Sequence, residues 1–523
     1  MEGKYRGRAL ARWLTAAAIA VGICGLPFFA TAQTQSNTDE LPDSRLDQQL
    51  TAVLHAAGFT GQLQASLEKR LGRPVDPVKA DLGRLLFFDT ITGLHDDNTC
   101  AGCHAPAFGF GDSQSIAIGI QSNLIVGHGR TGPRNQRRAP KLVNSGFLAT
   151  MFWSSRFETG SGDPFDNSKG FIFTPPEGTT RFPPNDPIIK TLPQAQGEMP
   201  PTEITEVAGY TGTKGTPFSL GPEFDPFDDG KGSPLPPPDG TGFRNDPIRA
   251  VVLQRLNGIP AYRALFGQSF PEVAAGAPID FSMFGRVIGE FEYSLTFADA
   301  PIDQFARGNA RAMTNAEKRG ALIFWGKGKC IACHTNAGNT SSDMFSDFKE
   351  HNIGVPQIAP FFGVQKSNVI FDGPNADEDF GREQVTGDSG DRYKFRTAPL
   401  RNVAVQPAFF HNGSFTNLAD AIRHHLNVFD SARNYDPVKA GVDHDLTLRQ
   451  GPIEPVLATV DPILAHPIQL TPREFYDLLA FVRDGLLDSR VNTANLCKLV
   501  PAAVPSGRPL LKFVDCKKSH GQQ

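Results

Sequence analysis

Two short stretches carry residues whose types and spacing could do chemistry: Cys100-Ala101-Gly102-Cys103-His104 and Cys330-Ile331-Ala332-Cys333-His334. Two thiols separated by two residues can each add to a vinyl group of one haem, and the histidine that follows is then placed to ligate the iron. The same cysteine pair also suits zinc or thiol–disulfide chemistry. A second copy, a helix-like segment ahead of each copy, and too few other cysteines to complete a zinc site favour two covalently attached haem c groups. Cys100, Cys103 and His104 would hold one, and Cys330, Cys333 and His334 the other.

The remaining signals concern compartment. Lys4, Arg6, Arg8 and Arg12 precede an apolar run from Trp13 to Phe29 that ends in Ala30-Thr31-Ala32, a small-residue cleavage pattern before Gln33. This predicts a signal peptide over 1–32, export to the periplasm, and no stable membrane span after cleavage; Gly22, Gly25 and Pro27 argue against an uncleaved anchor. Of the seven cysteines, Cys24 leaves with that segment, and Cys497 and Cys516 are expected to pair as a disulfide in an oxidising compartment. A net charge of -4 over 523 residues gives no basis for a nucleic-acid partner.

These sites need elements to position them. Leu46, Leu50, Val53, Leu54 and Ala57 fall at helical spacing within 44–71, and a second helix is expected over Val78 to Phe87, leading into the first motif. The basic segment Arg130 to Lys141 is expected to meet haem propionates or a loop carboxylate, and Leu142 to Phe152 to be buried. Between 160 and 242 prolines, glycines and scattered phenylalanines replace periodicity, which reads as an insertion of ordered loops over the surface near the first haem. Helices are expected at Asp246 to Leu256, Phe281 to Leu295 and Leu418 to Leu426. Thr314 with Glu317 opens another into the second motif, and Thr471-Pro472 caps a last one through Asp484. The fold class is mainly α, with helical haem domains in tandem over 33–159 and 246–490, a Pro/Gly-rich insertion over 160–245 and a tail over 491–523.

The order of motifs resembles the bacterial dihaem cytochrome c peroxidase family, which includes the MauG proteins. The resemblance covers 78–154 and 246–485. It rests on Leu85-Leu86-Phe87-Phe88-Asp89, Gly132-Pro133-Arg134-Asn135 and Phe152-Trp153 in the first half. In the second it rests on Ala316-Glu317-Lys318-Arg319-Gly320, Tyr393-Lys394-Phe395-Arg396-Thr397 and Leu400-Arg401-Asn402-Val403. It implies two cytochrome c-like domains, with His104 the proximal ligand of a peroxidatic haem and His334 that of an electron-transfer haem. It further implies His128, in a glycine-flanked loop, as a displaceable distal ligand, Glu198 as the distal carboxylate and Trp153 between the haems. Asn135, with carbonyls near Gln406 and Ala408, matches a calcium position.

On the second haem the family places methionine or tyrosine, whereas alignment on His411 and Gly413 gives His425, with His424 beside it and Met344 as a loop alternative. Imidazole ligation lowers the potential relative to methionine.

The leading functional expectation is a periplasmic peroxidase that reduces hydrogen peroxide to water with electrons from a small redox protein of cytochrome c or cupredoxin type. A MauG-like oxidase acting on a protein or organic substrate is the second. The third is a non-enzymatic bis-histidine electron carrier, to which a distal carboxylate is of no use. The resemblance also suggests a homodimer.

Overall fold

The computed structural model describes residues 43–178, 180–222, 224–335, 343–360 and 371–518; the signal peptide expected over 1–32 lies outside them. Helices dominate and the few strands are two or three residues long. The periodicity read over 44–71 resolves into two helices, Asp43–Ala56 and Leu63–Leu71, broken where Gly58 and Gly61 take φ of 67° and 64°.

Each half is built on the same device, a helix ahead of the cysteine motif packed closely on a later helix. In the first half Pro77–Phe88 lies on Phe281–Ser294; in the second, Asn315–Trp325 lies on Pro472–Ala480. Glycine permits both approaches. A side chain on Gly83 would collide with the Val287 carbonyl, and one on Gly320 with the Asp477 carbonyl. Helix starts are set by side chains that satisfy free N–H groups. Asp76 accepts from Val78 and Lys79, and Thr314 with Glu317 and Thr471 with Glu474 form capping boxes.

The stretch 160–242 is not confined to the surface. Phe171–Phe173 closes a three-stranded antiparallel sheet with Thr150–Met151 and Phe157–Thr159, and Phe173 stacks on Phe157 at 4.1 Å between ring centroids. Phe171, Phe182, Leu192 and Met199 are buried in the same core, where their apolar area is removed from water. Short helix Leu192–Gln196 packs against Phe281–Ser294, where Gly285 and Gly289 leave room for its backbone.

The C-terminal tail returns to the first half. Cys497 and Cys516 are disulfide-bonded, Lys512–Phe513 pairs in parallel with Ile125–Val126, and Phe513 meets Phe88. No helix among the described residues is long and apolar enough to cross a membrane.

Candidate functional site

At the first motif Cys100–Cys103 forms a single helical turn with both thiols free, and His104 caps it. The His104 Nδ1 donates to the Phe110 carbonyl at 3.0 Å, which leaves the Nε2 lone pair available to a metal. Burial lowers the pKa of this ring to about 4, so it stays neutral. The second motif repeats the arrangement: Cys330 and Cys333 are free thiols, and His334 Nδ1 donates to the Phe345 carbonyl at 3.1 Å. Phe110 and Phe345 present those carbonyls from positive φ, 56° and 57°.

His425 faces His334 across the second cavity, with ring centroids 6.2 Å apart. Its Nδ1 donates to the Ala421 carbonyl at 2.8 Å, leaving its Nε2 free as well. A metal bonded to two imidazole nitrogens at about 2 Å each would set the ring centres roughly 6 Å apart, so the pair fits a shared iron. His424 is committed elsewhere, to the Ile353 carbonyl at 2.8 Å and the Ser431 hydroxyl at 3.1 Å. Met344 is a buried wall residue of the same cavity.

Three cations line this second cavity without an ion-pair partner among the described residues. Lys141 donates to the Pro399 carbonyl, Arg396 to those of Phe152 and Thr397, and Arg138 to the Asp112 carbonyl and Gln406 Oε1. Burial lowers Lys141 to about 7 and both arginines to about 10. Buried charges are ordinarily paired, so this cluster fits an anionic group within the cavity, as haem propionates are.

The first cavity holds His104, Cys100 and Cys103 together with Trp153, Arg156, Glu203, Glu206 and Glu292, and no second histidine among the described residues. Arg156 is ion-paired to Glu203 at 2.8 Å. Burial, then the charge of Glu203, pushes Glu206 up to about 7. Glu292 is likewise raised to about 7 by burial and accepts from the Ser145 hydroxyl at 2.8 Å. Trp153 lines both cavities, its indole N–H donating to the Arg138 carbonyl at 2.9 Å.

Residues 77–311 match the family model described as di-haem cytochrome c peroxidase. Cytochrome c551 peroxidase of Pseudomonas aeruginosa is 27% identical over 354 residues, 67% of this chain and 72% of that protein. The methylamine utilization protein MauG of Methylophilus methylotrophus is 23% identical over 367 residues, covering 69% of this chain and 76% of that one. Over this part the chain is similar to the di-haem cytochrome c peroxidases and the MauG proteins. It is an oxidoreductase, and the di-haem model that it matches implies two haem c groups. The crystal structure of a MauG-like protein associated with microbial copper homeostasis aligns with a TM-score of 0.50 and 22% identity, covering 80% of this chain and 91% of that one, a likeness of fold.

Two of the expected site residues, His128 and Glu198, stand outside the first cavity. His128 is outside the first cavity, its side chain 70% exposed. Asp515 of the tail accepts from its peptide N–H at 2.9 Å and holds its Nδ1 at 2.7 Å. The loop is anchored by a strand pairing and a carboxylate. Glu198 is also off the cavity, buried against Gly285 and ion-paired to Arg181 at 2.6 Å. The expected calcium ligands are divided between the walls of the two cavities. Asn135 lies in the first-cavity wall and Ala408 in the second, while Gln406 accepts from a guanidinium, a poor neighbour for a divalent cation.

Glu203, Glu206 and Arg156 were missed. Their signal was a pair of glutamates three residues apart after Pro200-Pro201, which share one helical face, and an arginine three residues beyond Trp153.

The raised carboxyls set a pH dependence of stability. Glu198, Glu206 and Glu292 each stand near 7 because of burial, whereas the unfolded chain releases those protons near 4.3. The folded state binds more protons between these values, so this stabilisation is complete below about pH 4 and is lost as pH rises through 7. Thermal unfolding of the holoprotein should fall in midpoint from pH 5.5 to pH 8, less steeply in Glu292→Gln. A midpoint that rises over that window would show these carboxyls to be ionised in the fold.

Proposed function

We propose that this protein is a periplasmic dihaem c-type peroxidase, reducing hydrogen peroxide at the His104 haem with electrons that enter singly at the His334 haem from a small cytochrome c or cupredoxin. The observation that carries the reading is the first cavity: one imidazole, no second histidine among the described residues, and two carboxylates with an arginine beside them. An electron carrier with two six-coordinate haems has no use for such a cavity. The signal-like segment over 1–32 and the Cys497–Cys516 disulfide support an exported location.

Bound haem supplies the redox chemistry and the place where peroxide is held. The chain supplies protons and a path. Consuming one peroxide takes two electrons and two protons and yields two waters. Glu203, held by Arg156, is the base for the peroxide proton, and Glu206, poised near neutrality, returns a proton to the departing oxygen. Trp153, common to both cavities, is the aromatic through which electrons cross.

A MauG-like oxidase is the second reading. It is favoured by His425 where a methionine is expected and by a first cavity with no second histidine among the described residues. Electron paramagnetic resonance of the oxidised protein, before any reduction, tests the proposal. One high-spin and one low-spin haem are expected, with rapid peroxide consumption at two donor electrons per peroxide. Two low-spin haems inert to peroxide refute it; a long-lived peroxide-oxidised state that donors reduce slowly moves the assignment to the oxidase.

A further inference from the structure

One residue joins the two halves at the wall between the cavities. Arg138 is 4% exposed and lines both. Toward the first half its guanidinium donates to the Asp112 carbonyl at 3.1 Å, and its own carbonyl accepts from Trp153 at 2.9 Å. Toward the second half its peptide N–H donates to the His411 carbonyl at 2.9 Å and its guanidinium to Gln406 Oε1 at 3.2 Å. Gln406 in turn donates to the Phe108 carbonyl.

We propose that the Arg138 guanidinium is the built-in cation of this junction, binding the halves through the Asp112 carbonyl and Gln406 Oε1 where a bound divalent ion would otherwise be needed. Guanidinium is charged at every working pH. A divalent ion seeks six or more oxygens, and here Gln406 Oε1 and the Asp112 carbonyl are occupied by the arginine. The nearby Asp112 carboxylate is occupied too, accepting from the peptide N–H groups of Gln114 and Ala139. Any ion brought to Gln406 would meet a fixed positive charge within a few ångströms. Arg138 Nε has no hydrogen-bond partner among the described residues, a donor left over for an anionic group in either cavity.

Arg138 is thus a positioning residue, and a fixed charge in the wall of both cavities has a consequence that packing alone lacks. Removing it stabilises the oxidised state of both haems, so both midpoint potentials should fall. The first arm uses the parent holoprotein. EGTA followed by calcium should leave the thermal unfolding midpoint and both potentials unchanged, and a calcium-dependent rise in either would overturn the proposal. The second arm compares Arg138→Met with Arg138→Lys. A downward shift of both potentials in the first, restored toward parent values in the second, is expected; unchanged potentials in Arg138→Met reject the assignment. Should Arg138→Met fail to assemble with haem, the parent calcium titration and Arg138→Lys still decide. Neither arm depends on peroxide chemistry, so the proposal and the peroxidase reading can fail separately.

Discussion

Glu203→Gln is expected to lower peroxide turnover by a factor of about 10² to 10⁴, the range of a positioned general acid or base, with both haem spectra unchanged. Glutamine keeps the shape of the side chain and can still accept from Arg156, but it cannot take a proton. A second effect identifies the site. The charge of Glu203 helps hold Glu206 near 7, whereas Arg156 opposes it. Without that charge the balance tips toward Arg156, Glu206 ionises at lower pH, and the residual activity should shift its pH profile downward. Steady-state and single-turnover assays from pH 5 to pH 8 measure both. Glu198→Gln is the control: Glu198 lies off the cavity on Arg181, so turnover per folded, haem-loaded molecule should hold. A loss confined to Glu198→Gln would return the distal role to that residue and remove it from Glu203.

The contrast between these glutamates shows what local sequence can settle. The cysteine motifs were legible because covalent attachment fixes both residue type and spacing, and the capping boxes because they are closed within four residues. Glu198 and Glu203 are the same residue type five positions apart in one Pro-rich stretch. Which of them meets the cavity is decided by Leu192–Gln196 docking on the close-approach face at Gly285 and Gly289, which draws Glu198 into the helix contact, and by the Pro200–Thr202 turn that follows. His128 is decided from further still. Its partner Asp515 is 387 residues away, brought there by a tail that pairs with Ile125–Val126. Arg138 was legible only as part of a basic run. That it would bridge halves required Gln406 and His411 to be brought to it.

Both candidate histidines for the second haem stand on one helix, Leu418–Leu426, which sends adjacent residues in different directions. That gives the sharpest spectroscopic expectation. His425→Ala should abolish the low-spin signal of the second haem, leaving it high-spin, since this ring faces His334 at 6.2 Å between centroids. His424→Ala should leave that signal intact. His424 is instead a buried histidine kept neutral by desolvation and bonded to Ile353 and Ser431, so its loss should appear as a lower unfolding midpoint. Electron transfer follows from the same geometry. A second haem opened by His425→Ala must reorganise its coordination whenever it changes oxidation state, so donor oxidation should slow by at least an order of magnitude while peroxide still reacts once with the first haem. His425→Met restores a sixth ligand of higher potential, and the second midpoint should then rise above the parent value. Resonance spectra of the three variants, read with redox titration, check this directly. A low-spin second haem in His425→Ala would exclude His425 as its ligand and direct attention to Met344, the thioether in the same cavity wall.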